Sequence, residues 1–399
     1  MPNYNIIINT LKRLLPLSEE NKENLSSLSN SGCISDSQLK IIRTLLKQGK
    51  TSFIISKLNV SKKIIDDTTF LQLESSGTEE DTNELLEGIN RSIRENIKEK
   101  AFTNFSEKAK EIIPQYIAPN ISGMETIKKA AALQLFAKEQ EQLHMLLLGD
   151  PGTGKTQILH SASDLSPISS FSLGSGTSGV GLSITIKGKE ASKGILPLAD
   201  KGLCCIDELN LMKSQDYASL YNAMEKGFIT YDKAGHHHRY DARVNVLATA
   251  NPLGDKFKGR DIKALRKQMP FDPALLTRFH LVFLIRKPNL KEFVEITKKI
   301  INKSEHKQNP EDLEFIKSYI AHSLNSKVTL DRKYENIIVK LIEKIKRSED
   351  LYLIEVSPRI VLGIIRLAKA SARMQLRDKV NDEDINLVKE ILEKSLEVK

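Results

Sequence analysis

The sequence predicts an α/β fold: a five-stranded parallel sheet covered by helices, closed by a helical lid and preceded by a small helical domain. Three observations carry this. Five short apolar runs recur between His144 and Arg286, with helical patterning between them. The first run leads straight into a glycine-rich turn, and beyond Pro288 the runs give way to amphipathic helical repeats. Near-continuous apolar runs suit strands buried on both faces, as in a parallel sheet with helical crossovers.

The elements follow in order. Residues 1–110 read as helical and polar, with a helical N-terminal domain over 1–72 and an acidic linker and helix over 73–110. Within the first, Leu39–Asp67 is spaced as a helix-turn-helix. One helix ends at Gly49, Ser61 caps another, and Lys62 and Lys63 would face DNA. An ordinary helical packing domain accounts for the same pattern. The α/β core spans 111–288, with strands expected at His144–Asp150, Ser169–Leu173, Leu203–Glu208, Val244–Asn251 and Leu281–Arg286, all read as buried. The lid spans 289–399, where "DLEFIKSYI", "YENIIVKLIEKIK" and "RIVLGIIRLAKASARM" repeat apolar residues at helical spacing.

Composition narrows the function. The 399 residues include 60 Lys and Arg against 51 Asp and Glu, a formal charge of +9 that favours a polyanionic partner. The 3 cysteines, Cys33, Cys204 and Cys205, have no ligand spacing, which argues against a disulfide framework or structural zinc. No run approaches the length of a membrane span, so the expected location is cytoplasmic, beside the nucleoid in a prokaryote.

The glycine-rich turn "GDPGTGKT" (Gly149–Thr156) satisfies G-x-x-x-x-G-K-[ST] between a strand and a helix. Such a loop converges backbone N–H groups on phosphate oxygens at a helix N-terminus. Asp150, Pro151, Gly152, Thr153, Gly154, Lys155, Thr156 and Gln157 are therefore the expected ATP-binding residues. Lys155 supplies a charge to the β- and γ-phosphates, and the Thr156 hydroxyl offers a ligand to Mg²⁺. "CCIDEL" ends a buried strand in Asp207 and Glu208, and acids there are costly unless they face a cation or a reacting water. Asp207 is assigned to Mg²⁺ and Glu208 to polarising the water. Cys204 and Cys205 are read as packing residues. Asn251, closing "LATAN", offers an amide beside the γ-phosphate, and Arg278 in "LLTRF" is either a surface charge or a finger reaching a neighbour's nucleotide.

These words occur together with "IAPNISGMETIKKAAALQLF", "GTSGVGL", "IDEL", "DKAG", "DAR", "ANP" and "IIRLAKASARMQLRDKVNDEDI", in that sense and order. From about Ile117 onward the chain resembles the AAA+ module of the MCM replicative helicases. The resemblance implies a hexameric ATPase with composite sites, in which Lys155, Thr156, Asp207, Glu208 and Asn251 serve one subunit's nucleotide. Arg278 and Arg359, in "SPRIVL", would approach from the neighbour. It also implies DNA, single-stranded or forked, in the ring channel, and replication proteins as partners. The chain departs from the family at Gly154, where a small non-glycine residue is usual, at His280, which replaces an acid, and around Arg359. It also shows no zinc-bearing barrel pattern before the module and no winged-helix pattern after the lid.

Two segments read as hairpins. "LSITIKGKEASKGIL" alternates apolar and polar residues about a turn, with Lys187, Lys189 and Lys193 expected near its tip. "FITYDKAGHHHRYDAR" turns at Ala234–Gly235, with Lys233 at the corner. By position both match the channel hairpins of the MCM group, which makes these lysines and Arg239 the expected DNA contacts, binding phosphates without sequence preference. His236, His237 and His238 read as phosphate donors or as part of a solvated corner. A metal site is disfavoured, because adjacent strand residues alternate faces and only His236 and His238 could share an ion. Arg243, at the root, suits a structural role. Two other readings stay open: a DNA-binding initiator or regulatory partner without unwinding, and a protein-remodelling ATPase like the magnesium-chelatase or MoxR relatives.

Overall fold

The computed structural model describes residues 98–397 apart from 177–178, 183, 188–189, 234–235, 255, 260, 289, 291–292, 295–296 and 299–308. The helix-turn-helix expected over Leu39–Asp67 lies outside the described residues. The chain divides into two units at Lys108, and everything below concerns the second, Ala109–Lys399.

Nine strands occur among the described residues: β1 (Met145–Gly149), β2 (Ser169–Leu173), β3 (Ile184–Lys187), β4 (Glu190–Lys193), β5 (Leu203–Asp207), β6 (Phe228–Lys233), β7 (His236–Asp241), β8 (Asn245–Ala250) and β9 (Leu281–Ile285). Five of them form one parallel sheet in the order β2-β5-β8-β1-β9. Its centre is buried from end to end. Every residue of β1, β5 and β8 is buried, because helices cover both faces. β2 differs from the expectation of a buried strand. Among the described residues it pairs with β5 alone, at the edge, and Ser169 and Leu173 at its ends are exposed. Three serines in five residues satisfy an edge, where one row of backbone groups meets no strand.

The helices that matter to the site are α1 (Glu125–Gln134), α2 (Lys155–Leu165) and α3 (Tyr217–Lys226). α2 lays Lys155, Ile158, Leu159, Ala162 and Leu165 inward, the three-and-four spacing of one helical face. α3 stops at Gly227, which takes the left-handed conformation (φ 69°) that glycine adopts at no steric cost.

The lid comprises α4 (Pro310–Ser323), α5 (Glu335–Arg347), α6 (Pro358–Met374) and α7 (Asp382–Leu396). Asn309 caps α4 ahead of Pro310, and Asn381 with Asp384 forms a reciprocal capping box on α7. Buried charge fastens the lid to the core. Arg373, 1% exposed, donates to the Phe136 carbonyl (2.6 Å) and pairs with Glu141 (2.9 Å), which also pairs with Lys369 (2.7 Å). Among the described residues no helix is long and apolar enough to cross a membrane.

Candidate active site

The glycine-rich turn connects β1 to α2 at the C-terminal edge of the sheet, where parallel α/β sheets bind their ligands. Gly149 has no room for a side chain, because a Cβ there would strike the backbone of Ile285 on β9. Gly152 and Gly154 both have positive φ, 74° and 86°. A Cβ on Gly152 would meet nothing, so the cradle stands open there. Gly154 is the N-cap of α2 and no side chain caps that end, which leaves its first N–H groups facing the loop. The helix start is thus prepared for an anion by its own backbone.

Lys155 is buried and turned into the loop, donating to the carbonyls of Gly149 (2.8 Å) and Asp150 (2.7 Å). Burial brings its ammonium down to about 8, opposed by the charges of Asp150, Asp207 and Glu208. A phosphate offers a better acceptor than either carbonyl and would favour the charged ammonium. Thr153 closes the loop through its hydroxyl to the Asp150 carbonyl (2.8 Å). Pro151 is half-buried, and Thr156 and Gln157 are exposed at the start of α2.

Asp207 ends β5 and is 5% exposed. Its carboxylate accepts from the Thr156 hydroxyl (2.9 Å) and from Thr249 on β8. A hydroxyl beside a carboxylate at the phosphate loop is the hard-oxygen pair that Mg²⁺ prefers, so Thr156 and Asp207 fit that ion. Glu208 follows in the left-handed conformation (φ 53°), its backbone N–H held by the Thr249 hydroxyl (2.9 Å). This conformation takes the second acid off the line of the strand. Asn251 lies just beyond β8, its backbone N–H held by the Asn210 side chain (2.9 Å). Thr249 and Asn210 were not singled out in the sequence. The available signal for Thr249 is that it and Asn245 are the two polar residues of the run "VNVLATA".

Asp150 has a different role from the one its place in the motif implies. Its Oδ1 accepts the Phe257 N–H and its Oδ2 the Lys287 N–H, both at 3.0 Å. The side chain ties the phosphate loop to the segments that follow β8 and β9, and only its backbone stays in the cradle. Cys204 and Cys205 are buried, and burial pushes the Cys204 thiol up to about 12. They pack, as expected.

Arg278 and Arg359 meet on α3. The Arg278 guanidinium stacks on Tyr221, 4.1 Å from the ring centroid, and pairs with Glu225 (3.4 Å). Arg359 pairs with the same carboxylate (2.5 Å) and donates to the Thr277 carbonyl (3.3 Å). Burial raises the Glu225 carboxyl, but the Arg359 hydrogen bond and the two positive charges outweigh it and hold it below the usual range. Behind them His280, in the place of the family's acid, accepts the His144 N–H on Nδ1 (3.0 Å) and lies against Arg366 (2.9 Å). His144 accepts the Val246 N–H on Nδ1 (3.2 Å), which leaves Nε2 to donate to the Met224 carbonyl (3.2 Å).

Both hairpins are present. β3 and β4 pair antiparallel, with Lys187 opposite Glu190 beside the turn. Lys193 is opposite Ile184, at the root rather than near the tip, because the pairing runs on for three more positions to Lys187 and Glu190. It reaches over the Tyr240 ring of β7 (6.0 Å). Lys189 lies outside the described residues. β6 and β7 pair with Lys233 opposite His236 at the far end, and the corner Ala234–Gly235 is also outside them. Arg239 lies over Phe228 at the root (3.8 Å). Arg243 is bound by Asp200 (2.6 Å) and Asp241 (3.2 Å). Among the described residues no cluster of His, Cys, Asp and Glu could hold a metal ion.

A phosphate loop, an acid pair on the next strand but one, two antiparallel inserts and a helical lid are now in one chain. Residues 95–304 match the model of the MCM P-loop domain, and residues 314–396 that of the MCM AAA-lid domain. The chain belongs to the MCM family. It is 30% identical over 305 residues to DNA replication licensing factor mcm7-B of Xenopus laevis, an alignment covering 70% of this chain and 42% of that protein. It is 30% identical over 308 residues to DNA replication licensing factor mcm4 of Schizosaccharomyces pombe, covering 69% and 34%. With DNA replication licensing factor MCM5 of Arabidopsis thaliana the identity is 28% over 322 residues, covering 72% and 44%. The chain therefore spans less than half the length of these MCM relatives.

Proposed function

We propose that this MCM-family chain is an ATP-driven motor that moves along DNA and unwinds it during replication, working as a ring of like subunits in the compartment that holds the DNA. The observation that carries the reading is the cluster Lys155–Thr156–Asp207–Glu208, set at the ends of β1 and β5 on either side of β8, with the β6–β7 hairpin in the segment that connects β5 to β8. Lys155 leaves its carbonyl partners for the β- and γ-phosphates. Thr156 and Asp207 would hold Mg²⁺, which when bound would neutralise phosphate charge. Glu208 accepts a proton from the water that adds to the γ-phosphorus as the bond to the ADP oxygen breaks, and Asn251 orients that water. Arg278 and Arg359 enter the neighbouring subunit's site, a type of contact that raises turnover by roughly 10³–10⁵-fold. Lys187, Lys189 and Lys233 grip the phosphate backbone, with Lys193 and Arg239 supporting the hairpin roots.

The test compares ATP turnover with and without single-stranded DNA, and displacement of a forked duplex, for wild type, Lys155→Ala and Lys233→Ala. DNA is expected to stimulate the wild type, Lys155→Ala to abolish turnover, and Lys233→Ala to keep turnover while losing displacement. No response to DNA at low salt would refute the motor. Stimulation without displacement would favour an initiator or a partner-dependent role.

A further inference from the structure

The last turn of α3 joins two parts of the molecule that the proposed mechanism treats separately. Glu225 receives both arginines, Arg359 at 2.5 Å and Arg278 at 3.4 Å. Tyr221, one helical turn earlier, supports the flat face of Arg278 at 4.1 Å. Gly227 follows two residues later and ends the helix, and Phe228 opens β6. The Gly227 carbonyl accepts the Ala242 N–H (2.8 Å), so this one residue is both the helix stop and the hairpin root.

That root is held from several sides. A Cβ on Gly227 would come within 2.9 Å of Arg243, which Asp200 clamps through its backbone N–H and two guanidinium nitrogens. His144 holds the Met224 carbonyl, next to Glu225. Displacement of the turn is therefore passed on to β6 and β7. The arginine side is looser, because Glu225 is 36% exposed and ion pairs at that exposure contribute at most about 1 kcal/mol. An incoming triphosphate can take the two guanidiniums from this carboxylate at small cost.

We propose that Glu225 is a positioning residue that couples the nucleotide of the neighbouring subunit to the β6–β7 hairpin. In one state it holds Arg278 and Arg359 together on α3. In the other the neighbour's γ-phosphate takes the arginines, and the released helix turn moves the hairpin root. The inference rests on Arg278 and Arg359 reaching a neighbour's nucleotide. It adds the route from that contact to the DNA-facing element, a two-state element that both sites bias.

The test measures the affinity of the full chain for single-stranded DNA in ADP and in the slowly hydrolysed analogue ATPγS, together with ATP turnover. In the wild type the two affinities are expected to differ by roughly tenfold, within the range of coupled sites. Glu225→Gln keeps size and removes charge, and should bring the ratio within about twofold. Glu225→Asp should keep most of it, and Tyr221→Leu, which removes the support under Arg278 alone, should reduce it partly. Thermal midpoints check that each variant folds. If Arg278→Ala abolishes turnover while Glu225→Gln keeps the wild-type ratio, the coupling proposal alone is overturned. If Arg278→Ala turns over ATP normally, the reading of the arginines fails and the proposal with it. A wild type with equal affinities in the two nucleotides overturns the proposal as well.

Discussion

Asp150→Ala separates two readings of one motif residue. In the structure the carboxylate is 7% exposed and accepts two backbone N–H groups, from Phe257 and Lys287, each at 3.0 Å. A hydrogen bond to a charged acceptor contributes about 1.5–3 kcal/mol, so two amount to about 3–6 kcal/mol. Phe257 is half-exposed and Lys287 exposed, so their segments can relax toward water. The lower end, about 3 kcal/mol, is therefore expected. For a unit of this size that lowers the thermal midpoint by roughly 6–12 °C. Asp150→Asn keeps one acceptor and should lose about half as much. The assay is a thermal scan of each variant beside equilibrium binding of a fluorescent ATP analogue well below the midpoint. Binding should weaken by less than about threefold, because the cradle backbone remains. An unchanged midpoint with a tenfold or greater loss of binding would mean that the carboxylate touches the nucleotide or its metal, and would refute its role as a strut.

Two further expectations concern buried charge. Burial brings His144 down to about 3 and His280 well below its usual range, so both are neutral in the folded protein. A depressed histidine contributes its full stability above the unfolded value near 6.5 and loses it as pH falls toward the folded value. His144 alone should cost about 1.4 kcal/mol on going from pH 7.5 to 5.5. The midpoint should fall over that window, and replacing both histidines by asparagine should flatten the profile; equal slopes would exclude them as the cause. Arg373→Met removes a 1% exposed cation that ties Phe136 and Glu141 to the lid. Glu141 keeps Lys369, which limits the loss to about 3 kcal/mol, read as early proteolysis of the lid in a time course.

Much of this architecture could be read from the residues because it rests on local patterns. The five sheet strands fall within one residue of the runs that predicted them, since continuous apolar sequence leaves a buried strand little freedom of register. The phosphate loop is legible for the same reason: the turn glycines Gly152 and Gly154 act through their own backbone, and Lys155 through the carbonyls of Gly149 and Asp150. What could not be read depends on distant elements coming together. Thr249 serves Asp207 only because β8 pairs with β5, and Asp150 finds its donors 107 and 137 residues away. That Arg278 and Arg359 share Glu225 requires α3, the segment before β9 and α6 to meet. β2 read as buried because apolarity at Phe171 and Leu173 does not say which strand ends the sheet. Lys193 read as a tip residue because the length of a turn is set by strand register.

The contact of Lys193 with Tyr240 makes the two hairpins a fork with two tines rather than two separate fingers. An exposed cation–π contact of this kind contributes about 0.5–1 kcal/mol, close to thermal energy. A contact of that strength opens at little cost, so a cargo wedged between the tines would meet a compliant grip. In the proposed ring each subunit would then supply a spring as well as a lever.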